Sequence, residues 1–198
     1  MHKKKLYFFL LIFLNFIYIN NSFAVEPYSF IQETADRASE ALNKRQSKEE
    51  KMEKLKIIAK ETVDIKGVGF YSLGSARKEI NNDQKNTYLN LFENYFLKSF
   101  SSRLAEYSNP IINVDSKTKI NENYTIVSST LSATDKRPAV KIDWRVYTKN
   151  KDQPLIRDLI IEGLSLARTQ KEEFNSIILS ADGDINVLIS KLKEFSNT

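Results

Sequence analysis

The stretch "AVKIDWRVY", residues 139–147, alternates without a break. Val140, Ile142, Trp144 and Val146 fall on one side, and Lys141, Asp143 and Arg145 on the other. That period of two is what a strand with one buried face requires. The flanking segments repeat it. "YTIVSSTLSA" (124–133) groups Val127, Ser129 and Leu131, and "LIRDLIIEG" (155–163) groups Leu155, Leu159 and Ile161. "IINVDSKTK" (111–119) reads as a first strand. The links at 117–123, 134–138 and 149–154 are polar, as hairpin loops should be. Residues 111–162 therefore read as an antiparallel meander with one side buried.

Before Pro110 the period is that of a helix. "YLNLFENYFLKSF" (88–100) is the densest part of one that begins near Asn81 or Asn82 and runs to about Tyr107. Gln84 is spaced for a capping box with Asn81. Eight of these thirteen residues are apolar or aromatic, more than one buried face needs. Tyr88, Phe92, Tyr95 and Phe100 make one stripe, while Leu89 and Leu97 lie off it. Two readings account for the excess: a helix sandwiched between the sheet and other helices, or one that partly lines a cavity.

Upstream, Ile31, Ala35, Ala38 and Leu42 form a helical stripe behind Pro27, which suits a first turn. Residues 47–63 form a second helix with Met52, Leu55, Ile58 or Ala59, and Val63 inward. Ser47 and Glu50 are spaced as its capping box. Its mixed Lys/Glu surface reads as a solvated face. "DIKGVGFYSLG" (64–74) is ambiguous. Downstream, Thr169 and Glu172 suggest a capping box ahead of Phe174, Ile177 and Ile178. Gly183 separates that helix from a last one carrying Ile185, Leu188, Ile189 and Leu192. The expected fold class is α+β: helices within 27–107, strands within 111–162 and helices within 165–196, with several helices on one face of a curved, mainly antiparallel sheet of about four strands.

Residues 1–24 read as a secretory signal peptide. A basic start (Lys3, Lys4, Lys5) precedes an apolar run from Leu6 to Ile19 and a small-x-small site at Ser22-Phe23-Ala24. Cleavage near Ala24 leaves one domain, 25–198, expected to be exported and soluble. No Cys follows the site to take a lipid anchor. Without the three leader lysines, 27 basic residues face 25 acidic ones, a net charge of +2. That balance gives no nucleic-acid footprint. The chain has no Cys, and its one His is His2, in the leader. Ser-His-Asp and Cys-His catalysis and the usual zinc ligand sets are therefore absent from residues 25–198. No enzyme, metal or cofactor is expected.

Individual residues point the same way. Asp158 and Glu162 have no acid/base partner in the pattern; they read as acceptors for backbone groups or as partners of Arg145 or Arg157. Ser165 follows Gly163 without the Gly-x-Ser-x-Gly elbow of a nucleophile, so a turn or cap role fits it. Gly67, Gly69 and Gly74 lack both the Walker lysine and the GxGxxG spacing of a phosphate loop.

Three stretches carry a resemblance. In "LGSARKEINNDQKNTYLNLF" the positions are Leu73, Gly74, Gln84, Tyr88 and Phe92. In "DLIIEGLSLARTQKEEF" they are Asp158, Leu159, Ile161, Glu162, Gly163, Leu164, Ser165, Leu166 and Phe174. The closing set is Gly183, Ile185, Leu188 and Leu192. Together these resemble the MlaC family of periplasmic phospholipid-binding proteins, also called the toluene-tolerance family. The chain departs from the family's habit at Pro154, where a Trp often opens the last strand, and at Ala76 and Arg77, where an aromatic pair is common.

The resemblance implies a monomeric, non-enzymatic periplasmic carrier. Its apolar cavity, between sheet and helices, holds phospholipid acyl chains. It implies traffic between an outer-membrane lipoprotein complex and an inner-membrane ABC transporter complex. Each buried methylene contributes ~0.8 kcal/mol, so two C16 chains represent roughly 20–25 kcal/mol that a carrier must nearly match. The candidate cavity residues are Phe92 and Phe96 on the long helix and Val127, Leu131, Ile142, Trp144, Leu159 and Ile161 on the apolar strand faces. On pattern alone Trp144 also fits a plain core. The rival functions are an exported adaptor with the same fold and a filled core and, more remotely, a hydrolase using carboxylates on a cone-shaped α+β fold.

Overall fold

A computed structural model describes residues 25–135 and 137–197; the expected signal peptide, 1–24, lies outside them. Helix α1 is Pro27–Ala41. Glu26 caps it, accepting from the N–H groups of Tyr28 (2.9 Å) and Ser29 (3.3 Å), with Pro27 in the first turn. Helix α2 is Lys48–Thr62, opened by the expected Ser47–Glu50 capping box. The ambiguous glycine segment is also helical: α3, Ile65–Ser72, is capped by Asp64, whose Oδ1 accepts from Gly67 N at 2.9 Å. Gly74 ends it at φ +57, the left-handed region that a glycine adopts at little cost. A 3₁₀ turn, Ala76–Lys78, leads to α4, Asn82–Leu104, which has the expected Asn81–Gln84 box.

Strands β1 (Ile112–Asn121), β2 (Tyr124–Leu131), β3 (Val140–Tyr147), β4 (Leu155–Ile161) and β5 (Leu164–Ser165) form one sheet in that order, each pair antiparallel. Helices α5 (Leu166–Leu179) and α6 (Ile185–Asn197) close the fold.

Three local expectations are corrected. Residues 117–121 are not loop but the outer half of β1, leaving Glu122 and Asn123 as the turn. This is an edge strand exposed along most of its length, so no alternation of buried residues marks it. Its lysines suit such an edge. Helix α5 starts from Ser165, whose Oγ accepts from Arg168 N at 3.1 Å, and not from a Thr169 box. Thr169 lies inside the first turn and donates to Ser165 O at 3.0 Å. Finally, Leu155 does not share a face with Leu159. Trp144 pairs with Leu159 and Arg145 with Asp158, but Val146 then pairs with Ile156. The bulge at Arg157 takes up one residue and turns Ile156 inward, 3% exposed, in place of Leu155.

The core has three parts. The largest is helical: Tyr88, Phe92 and Leu97 of α4 pack with Ala59 of α2, Ile65 and Val68 of α3, Phe174 and Ile178 of α5, and Leu188 and Leu192 of α6. Leu89, Leu91, Tyr95, Phe96 and Phe100 lie partly buried against it. The surplus apolar residues of the long helix thus meet other helices on several sides, and its main neighbours are α2, α3 and α6 instead of the sheet. A second cluster lies under α1, where Ile31 meets Val127, Trp144, Val146 and Ile156. The third joins Ala41, Leu42, Leu55 and Ile58 to the end of α4 through Leu104.

Candidate functional site

An open cleft of about 590 Å³ lies where α3 and the start of α5 approach the sheet. Val68, Phe70, Tyr71, Ile120, Tyr124 and Ala167 supply its apolar and aromatic walls. Arg77, Arg145, Arg157 and Asp158 supply the charge. Its volume is that of a small-molecule site.

The sequence builds this cleft through the bulge in β4. A strand points successive side chains to opposite faces. Arg145 and its partner Asp158 therefore point away from the face of Trp144 and Leu159. Arg157 lines the cleft alongside Asp158 because of the bulge.

Arg157 is half-buried and held on three sides. Its Nε donates to Asp64 Oδ2 at 2.7 Å, its Nη1 donates to Tyr124 Oη at 2.9 Å, and its guanidinium lies 3.4 Å from the centroid of the Tyr147 ring. Burial works against its charge, but the bonds to Tyr124 and Asp64 outweigh that and raise its pKa above the ordinary value. Arg145 is exposed and its side chain makes no hydrogen bond or ion pair among the described residues; the Arg77 side chain has only the Phe70 ring, 5.9 Å away.

Asp158, 7% exposed, has both oxygens engaged: Oδ2 accepts from Ser165 Oγ at 2.6 Å and Oδ1 from Ala167 N at 2.9 Å. Glu162 accepts from Lys141 N. Both accept from backbone N–H groups, and neither forms an ion pair with Arg145 or Arg157. Ser165 is a helix cap. The segment "DLIIEGLSLAR" is thus a latch joining β4, the tight turn at Glu162 and Gly163, and α5. Among the described residues no three His, Cys, Asp or Glu side chains gather as a metal site.

The eight residues singled out by pattern fall into separate places. Val127, Ile142, Trp144 and Leu159 come together under α1. Phe92 and Phe96 stack in the helical core, ring centroids 6.1 Å apart. Leu131 and Ile161 are partly exposed on the sheet and belong to neither cluster. None of the eight lines the cleft. Phe92 comes nearest, since its ring abuts Gly69, between cleft residues Val68 and Phe70. Apolar alternation does not single out the cleft residues, which come from several separate elements. Arg145, on the polar side of that alternation, and Arg157, a charge that interrupts the apolar side of Leu155, Leu159 and Ile161, are the available clue.

Among the described residues no helix is long and apolar enough to cross a membrane. No curated protein matches this chain. Among solved structures, the chain is similar to a phospholipid-binding protein from Ralstonia solanacearum, determined in complex with a phospholipid. The TM-score is 0.72 at 17% identity, covering 87% of this chain and 98% of that one. The two share the fold of helices around a curved, unclosed antiparallel sheet. The family model described as MlaC protein matches residues 32–194, from the first turns of α1 to the last turns of α6. With that match spanning helices, meander and latch alike, the chain belongs to the MlaC protein family.

Proposed function

We propose that this protein is a periplasmic phospholipid carrier, exported by cleavage near Ala24, that catalyses no reaction. It shuttles lipid as a monomer between an outer-membrane lipoprotein complex and an inner-membrane ABC transporter complex. The observation that carries this reading is the cleft: about 590 Å³, open to solvent, with aromatic walls backed by the helical core. Membership of the MlaC family and the phospholipid bound by the Ralstonia solanacearum protein support it. Asp158 and Glu162, both occupied as backbone acceptors, favour a carrier over a carboxylate hydrolase.

In this proposal acyl chains enter between α3 and the β1–β2 hairpin, past Tyr71, Ile120 and Tyr124. Phe92 and Phe96 flank the inner end of the route, behind α3. Val127, Ile142, Trp144 and Leu159 lie under α1 and support the sheet from behind, and Leu131 and Ile161 flank them outside that cluster.

The test is mass spectrometry of lipid extracted from the purified protein and from Ile120→Glu. Ile120 is 57% exposed, so this charge should leave folding intact. Diacyl lipid on the wild type and a clear loss in the variant are expected. A wild type that stays empty after incubation with vesicles would instead support the filled-core adaptor.

A further inference from the structure

Resting on the carrier reading, we propose that Arg77, Arg145 and Arg157 form a phosphate site at the cleft mouth that selects anionic phospholipid headgroups. Three guanidinium groups line the cleft; Asp158, the carboxylate beside them, is engaged by Ser165 and Ala167, and Asp64 is ion-paired to Arg157, which leaves Arg77 and Arg145 as the uncompensated charges. A guanidinium presents a planar fork of donors that matches phosphate oxygens. Arg157 is held in advance: Asp64 takes Nε, Tyr124 takes Nη1, and the Tyr147 ring fixes the plane. Its Nη2 has no partner among the described residues, and such preorganisation lowers the cost of binding. Arg145 brings a whole unpaired guanidinium to the same cleft.

The aromatic walls of Phe70, Tyr71 and Tyr124 reduce screening by water, which strengthens a charge pair there. A phosphodiester alone adds a negative charge to this mouth. A choline or ethanolamine group would bring a cation beside two further cations, and like charges oppose binding. The favoured ligand is therefore a diacyl lipid with a net negative headgroup.

The test offers the purified exported protein vesicles containing equal amounts of dioleoyl phosphatidylglycerol and dioleoyl phosphatidylcholine, which differ only in the headgroup. Bound lipids are then quantified by mass spectrometry. The wild type should load the anionic lipid with a preference of about fivefold, falling as salt is raised. In the double variant R77Q/R145Q the ratio should approach one. Neither side chain makes a hydrogen bond or ion pair, so the variant should fold; circular dichroism checks this.

A wild type that loads both lipids equally overturns the headgroup proposal and leaves the carrier reading standing. A wild type that loads neither overturns both. Calorimetry with inorganic phosphate distinguishes the source of the anion. Phosphate binding that R77Q/R145Q abolishes, without lipid discrimination, assigns the site to free phosphate and overturns the headgroup assignment.

Discussion

Trp144 donates its indole N–H to Ser129 Oγ at 2.8 Å, across the β2–β3 pair and beneath α1. Ser129 is fully buried and its own hydroxyl donates to Ile142 O at 3.3 Å. The single polar atom of the Trp is thereby satisfied inside the sheet–α1 cluster. Ser129→Ala leaves the indole N–H unpaired and should cost about 1–3 kcal/mol. Urea denaturation checks this, with a lower midpoint and an unchanged slope.

The approach of α3 to α4 depends on Gly69. A Cβ there would lie 2.6 Å from Phe92 Cδ1. Helix propensity alone favours alanine over glycine by about 1 kcal/mol, whereas overpacking costs about 1–3 kcal/mol. Gly69→Ala should therefore destabilise the wild type and stabilise the Phe92→Leu background. A double-mutant cycle reads the sign change, and stabilisation in both backgrounds would deny the contact.

The latch has a measurable strength. Asp158→Ala removes the acceptor for Ser165 Oγ and Ala167 N, and bonds to a charged group are worth about 1.5–3 kcal/mol each. Asp158→Asn keeps an acceptor and should lose less. Amide hydrogen exchange should show Ala167 and Arg168 opening first in the alanine variant.

Tyr88 predicts an alkaline effect. Its hydroxyl donates to Gly69 O at 3.0 Å, and burial pushes its pKa far above the ordinary value, with Tyr95 adding to the rise. A group whose folded pKa is raised contributes stability fully below its unfolded pKa, about 10 for tyrosine, and loses it as pH rises further. At pH 7 Tyr88→Phe should cost about 0.5–1.5 kcal/mol for the lost bond. Above about pH 10 that gap should close, because only the wild type carries the burden of ionising Tyr88 in its unfolded state. Urea midpoints at both pH values test this; a constant gap would show that Tyr88 ionises in place.

The face under α1 has its own test. Ile142 packs there, so Ile142→Trp should overpack by about 1–3 kcal/mol and leave bound lipid unchanged. Leu131, partly exposed at the end of β2, should accept Trp at smaller cost. Loss of lipid at preserved stability in either variant would move the acyl chains to that face of the sheet.

Local chemistry by itself determined most of the elements. The Ser47–Glu50 and Asn81–Gln84 boxes mark helix starts because a cap and its third neighbour satisfy each other's backbone donors within four residues. Alternation in β2 and β3 marks strands because each face meets one environment. Only the tertiary structure decided which faces meet. The apolar stripe of α4 specifies burial but not its partner, and helices, not the sheet, surround it. A single-residue bulge at Arg157 exchanges Ile156 for Leu155; its trace in the sequence is Arg157 itself, a charge between Leu155 and Leu159 on the otherwise apolar side, which does not say where the register shifts. The cleft is built by residues from α3, the β1–β2 hairpin, β3, β4 and α5 that are far apart in sequence. Their charges and rings come together only where those elements leave space between them.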